Sequence, residues 1–125
     1  MTGPVPRLLA LALLAACTGG DGHPPVARAS ASPETIPEND EFQTAVTLDG
    51  TTSADPIDDP DGVEALDYRW QIWGDEFQLD QGDETDATPV VRFRGDRPAT
   101  VELTVTDADG LTGRASFQMR LTLGP

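Results

Sequence analysis

Few residues of this chain can do chemistry, and Cys17 is the first of them. It is the only cysteine in 125 residues and stands directly after an apolar run. Its thiol is a nucleophile, but it can form neither an internal disulfide nor a thiolate metal cluster. Asp55, Asp58, Asp59 and Asp61 crowd one short segment. Carboxylates at that density can supply several of the roughly six to eight oxygens that Ca²⁺ takes. The alternative is a set of solvated turn residues capping backbone amides, since Asp-Pro and Asp-Gly are ordinary turn pairs. The spacing is not that of an EF-hand loop. His23 is the single histidine, so neither a two-histidine zinc site nor a Ser-His triad can be assembled. The acids Glu76 with Asp80, and Asp83 with Glu84, imitate a glycosidase pair. Nothing in so short a chain suggests a substrate cleft around them, and the chain reads as a non-enzyme. Arg94-Gly95-Asp96 spells the integrin-binding tripeptide, a match too short to carry information.

The element that presents Cys17 is residues 8–16, a run of leucine and alanine preceded by the single cation Arg7. A bilayer-spanning helix needs about 20 residues, so the run is too short to cross. Its length, basic flank and small-residue end predict a removable signal peptide over residues 1–16. Leu14-Ala15-Ala16-Cys17 resembles the bacterial lipobox, in which small residues fit the peptidase and the thiol accepts diacylglycerol. Two or three acyl chains, at about 0.8 kcal/mol per buried methylene, give a lasting membrane anchor. Residues 17–23, rich in glycine, are expected to act as a flexible tether. In Gram-negative lipoproteins an Asp after the acylated cysteine holds the protein at the inner membrane. Thr18 stands there in this chain, so the resemblance implies the outer membrane.

The formal charge of −14 repels phosphate backbones and anionic headgroups and excludes nucleic acid as a natural partner. Loss of residues 1–16 removes Arg7 and no acid, taking −14 to −15. All eight basic residues are arginine.

From Pro24 onward the chain alternates. Phe42, Thr44, Val46 and Leu48 share one parity, as do Leu66, Tyr68, Trp70 and Ile72. Val91 with Phe93, then Val101, Leu103 and Val105, then Ala115, Phe117, Met119, Leu121 and Leu123 continue the pattern. A period of two marks strands with one buried and one wet face. Clusters of Gly, Pro and Asp separate them at 49–50, 55–62, 82–83, 95–98 and 107–110. Residues 24–125 therefore predict an all-β domain, an antiparallel β-sandwich held together by core packing or with help from a bound ion. Trp70 falls on the buried parity and is expected in the core. Trp73 is out of phase, and is read either as a cover for the end of the sandwich or as an exposed sugar-binding aromatic.

Several segments also resemble, in order and spacing, the polycystic kidney disease (PKD) domain, an immunoglobulin-like β-sandwich common in bacterial extracellular proteins. They are Pro24-Pro25-Val26-Ala27, Val46-Thr47-Leu48-Asp49-Gly50, Ser53-Ala54-Asp55-Pro56, Asp61-Gly62, Tyr68-Arg69-Trp70, and the stretch from Val101 to Gly110 ending Asp107-Ala108-Asp109-Gly110. Two departures stand out: Gln71-Ile72-Trp73-Gly74-Asp75-Glu76 where many members carry Asp-Phe-Gly-Asp-Gly, and an insertion at residues 57–60. In some members a calcium ion sits where the acidic turn meets the later hairpin. Carried over, its ligands would be Asp59 or Asp55, with Asp61 and Asp107.

Together these readings predict a lipid-anchored protein of the cell envelope carrying one non-catalytic domain for binding, adhesion or spacing. Its expected partners are the membrane, through the anchor, and either another envelope protein, with calcium stabilising the scaffold, or a polysaccharide.

Overall fold

Alternation along the chain becomes, in space, two sheets that turn their apolar faces toward each other. The computed structural model describes residues 22–57, 59 and 65–123. Leu14, Ala15, Ala16 and Cys17, with the signal peptide they end, and Asp61 lie outside the described residues. The strands are β1 (Ser30–Ser32), β2 (Thr35–Pro37), β3 (Val46–Asp49), β4 (Asp67–Trp73), β5 (Phe77–Gln81), β6 (Val90–Phe93), β7 (Ala99–Thr106) and β8 (Thr112–Thr122). One sheet runs in the order β1-β3-β6-β5 and the other β2-β8-β7-β4. Among the described residues there is no helix.

β7 shows why these residues make these strands. Ala99, Val101, Leu103 and Val105 are all buried, and the residues between them are half-exposed. Opposite them on β8 stand Met119, Phe117, Ala115 and Gly113, and on β4 stand Ile72, Trp70 and Tyr68. β7 is thus flanked on both edges by strands of the same parity. The first sheet answers with Ala31, Val46, Leu48, Val91 and Phe93, and Ile36 of β2 closes the core from the second. Each fully buried side chain of this size contributes about 1.5–3 kcal/mol.

The β-sandwich expected from sequence is present, with differences of detail. The strand expected over residues 42–48 begins only at Val46, because Asn39, Glu41 and Phe42 take positive φ and curl the chain. Asp40 secures that curl, accepting hydrogen bonds from the Thr44 amide at 2.8 Å and its hydroxyl at 2.9 Å. The pairing is also not wholly antiparallel. After β1 the chain passes a cis Ser32–Pro33 bond and crosses to the other sheet, where β2 lies parallel to β8.

Candidate functional site

Two regions combine chemistry with exposure: the end of the sandwich that gathers the aspartates, and the open side between β4 and β5. At the acidic end, Asp49 closes β3 and Gly50 turns the chain against the core. A Cβ on Gly50 would stand 2.8 Å from the Leu103 side chain and 3.3 Å from Trp70. The chain then bridges back to the first segment: the Val26 amide donates to Ala54 O at 2.6 Å and the Ala54 amide to Val26 O at 3.0 Å. On its other side this segment presses on β8, where a Cβ on Gly113 would run into the Pro25 carbonyl. Asp55 follows the bridge, 4% exposed, and its carbonyl accepts the Asp59 amide at 2.8 Å. Asp107 lies at this same end, where β7 turns into β8, and is also 4% exposed. Its Oδ1 accepts the amides of Asp109 and Leu111, each at 2.9 Å, while Oδ2 is buried with no hydrogen-bond partner. Gly110, at φ +86°, supplies the left-handed residue that the hairpin needs.

Asp55, Asp59 and Asp107 are therefore brought to one end of the molecule, and Asp61 lies outside the described residues. Among the described residues no three metal-capable side chains gather at one point. Turn capping by aspartate, the alternative to metal binding, is visible at two neighbouring loops. Asp49 Oδ1 accepts the Thr51 hydroxyl at 2.6 Å and its amide at 2.8 Å. These bonds, the hydroxyl's first, hold its carboxyl below the usual carboxylate range. Asp83 is lowered in the same way by the hydroxyl and amide of Thr85.

The open side is built by strands that do not match in extent. Phe77 and Leu79 of β5 stand directly opposite Phe93 and Val91, which are fully buried. Direct partners share a face, so Phe77 and Leu79 also point inward, yet they are 38% and 45% exposed. Trp70 and Ile72 of β4 form the other wall of a cleft of about 380 Å³ floored by Val91. Trp73 stands at its rim on the outer parity of β4, half exposed at 50%. Arg69 and Glu84 line it with opposite charges. Trp70 itself is buried as expected, its indole N–H donating to Asp86 O at 2.8 Å. β5 was not among the strands expected from sequence. The signal for it is the pair Phe77 and Leu79 between the turn glycines Gly74 and Gly82, which take φ of +102° and +73°.

Two of the acids singled out from the sequence are ion-paired with arginines. Glu76 meets Arg94 at 3.2 Å and Asp80 meets Arg92 at 3.4 Å. Arg94 also holds Asp96 at 2.9 Å, so the Arg-Gly-Asp tripeptide is closed on itself.

No protein-family model matches the chain, and no curated protein matches it. Among solved structures the chain is similar to one described as a nucleoside hydrolase-related hypothetical protein from Saccharophagus degradans that is associated with carbohydrate metabolism. The TM-score is 0.54 at 18% identity, over 80% of this chain and 26% of that one. The chain thus spans about a quarter of that protein's length. A likeness at this identity concerns the fold alone, the two-sheet all-β arrangement.

Proposed function

We propose that this chain is a lipid-anchored protein of the cell envelope whose folded part, an immunoglobulin-like sandwich of PKD type, serves as a non-catalytic binding or spacer module. The observation that carries the reading is the strand order. An immunoglobulin constant-type sandwich places its first, second, fifth and fourth strands in one sheet and its third, sixth and seventh in the other. Counting β1 and β2 as a single first strand divided between the sheets, β1-β3-β6-β5 and β2-β8-β7-β4 follow that order. The buried Trp70 on β4 occupies the third strand, where such sandwiches carry their core tryptophan.

The anchor rests on Cys17 and the residues before it. Expressed in a Gram-negative host, the full chain is expected in the detergent-soluble membrane fraction, with the mass of a diacylated or triacylated cysteine. Cys17→Ala is expected to shift it almost wholly to the soluble fraction. Equal membrane retention of Cys17→Ala would sink the lipid anchor. Thr18→Asp is expected to move the anchored protein from outer to inner membrane on a density gradient.

A calcium-stabilised scaffold is the second reading, and the buried Oδ2 of Asp107 supports it, since a carboxylate oxygen without a hydrogen bond suits a hard cation. Asp107 would hold the ion with Asp55 or Asp59, completed by carbonyl or water oxygens. The ion's contribution would be charge neutralisation and cross-linking of loops. Binding at about 100 times Kd stabilises by about 2.7 kcal/mol, so millimolar calcium is expected to raise Tm by several degrees over EDTA. Asp107→Asn is expected to abolish that increment while keeping the Oδ1 bonds to the hairpin. Identical melting in calcium and EDTA would remove the ion from the account.

A further inference from the structure

The cleft between β4 and β5 points to an occupant, and we propose that it receives an extended segment of another polypeptide, basic overall, which adds as a strand to the free edge of β4. The inference rests on the reading of the chain as a binding module and names the surface and partner chemistry of that module. Three observations carry it.

The first is the state of the edge. The Trp70 amide donates to Glu84 O at 2.8 Å, in the loop after β5. The main chain of Trp70 therefore points away from β7, the strand that β4 pairs with among the described residues. In an antiparallel ladder the main-chain groups of alternate residues point the same way, so those of Ile72 face outward too. Glu84 covers the edge at Trp70, and among the described residues no loop backbone bonds to Ile72 on that edge. Such an edge is a template for another strand.

The second is the uncovered apolar face. Phe77 and Leu79 point inward, but the opposing sheet stops at β4 and leaves them 38% and 45% exposed. A strand laid beside β4 would extend that sheet over them. Its alternate side chains would enter the cleft between Ile72 and Leu79, with Trp73 flanking the entry.

The third is charge. At −14 with no lysine, a second copy of this chain is repelled from the site, whereas a basic segment is drawn to it. Arg69 and Glu84 offset each other locally, so the attraction comes from the net charge of the chain and weakens with salt.

The test uses the full chain in detergent and three probes. These are a peptide of about eight residues alternating valine and threonine between terminal arginines, the same peptide with terminal glutamates, and a neutral oligosaccharide of comparable length. The arginine peptide is expected to bind, at least tenfold tighter than the glutamate peptide, and to slow hydrogen exchange at the Ile72 amide. N-methylation of the peptide on its pairing edge is expected to abolish binding, a comparison that leaves the protein unaltered. Phe77→Ser with Leu79→Ser is expected to weaken binding tenfold or more. Binding that survives N-methylation, or no binding of the arginine peptide, overturns the proposal. Oligosaccharide binding lost in Trp73→Ala, with the peptides inert, likewise overturns strand addition and assigns the cleft to a glycan, leaving the binding-module reading standing. The anchored part of that reading fails separately, on the fractionation of Cys17→Ala.

Discussion

Replacing Trp70 with alanine is expected to lower the free energy of unfolding by about 3–5 kcal/mol, the range for truncating a large buried aromatic. Native domains have only about 5–15 kcal/mol in hand, so this one change removes a large share of it. Trp70 is 4% exposed and packs in the core cluster with Leu48, Val91 and Leu103. It also ties β4 to the loop after β5 by two bonds: the indole N–H to Asp86 O and the amide to Glu84 O, both at 2.8 Å. Alanine keeps the amide bond but loses the packing and leaves Asp86 O without its indole donor. Trp70→Phe separates the two effects. It retains most of the apolar contact, and is expected to cost about 1–2 kcal/mol through the lost hydrogen bond and a smaller ring. Urea unfolding followed by circular dichroism measures both. A loss under about 1 kcal/mol for Trp70→Ala would show that the two sheets do not close on this residue.

Gly95→Ala is expected to cost about 2–5 kcal/mol for a different reason, a backbone with no room. Gly95 has φ +88°, and a Cβ there would lie 2.6 Å from the Asp40 amide nitrogen and 3.1 Å from Pro37 O. Both obstacles are main chain, one at the end of β2 and one in the turn that follows it, and cannot rotate aside. The contacts that hold Gly95 in place are short: its amide donates to Asp75 Oδ2 at 2.7 Å and its carbonyl accepts the Asn39 amide at 2.8 Å. The left-handed conformation alone costs an L-residue about 1–2 kcal/mol, and overpacking adds about 1–3. Gly110→Ala is the control. That glycine has a similar φ of +86° with nothing within 4 Å of a Cβ, so only the conformational part, about 1–2 kcal/mol, is expected. Equal losses at the two positions in thermal or urea unfolding would show that the wall behind Gly95 yields.

How far the fold was legible depended on what each strand buries. β7 and β8 could be read residue by residue, since Val101, Leu103, Val105 and Met119 alternate with polar residues over long runs. β1 and β2, three residues each with one buried side chain apiece, Ala31 and Ile36, carry too short an alternation to register. β5 escaped because an edge strand buries little: all five of its residues are exposed. The segment before β3 misled in the other direction, as Phe42 and Thr44 fit the parity of Val46 while the positive φ of Glu41 and Phe42 breaks the strand.

For the candidate sites the division is similar. Clustering of Asp55, Asp58, Asp59 and Asp61 is plain in the sequence. That Asp107, 52 positions after Asp55, lies at the same end with one oxygen buried and unbonded is a product of the sheet order. Trp73 stood out by its phase, but the cleft it borders needed β5 to be placed across from β4.

Legible in neighbouring residues alone were the expectation of lipidation at Cys17, from its place after residues 8–16, and the period of two that makes the domain all-β. Both are local properties, written in neighbouring residues. The sheet each strand joins, the lack of a backbone partner at the outer edge of Ile72 among the described residues, and the exposure of Phe77 and Leu79 came only from the three-dimensional packing. Those depend on contacts between residues far apart in the chain, where shape and extent of the sheets, not local pattern, set what is buried and what stays exposed.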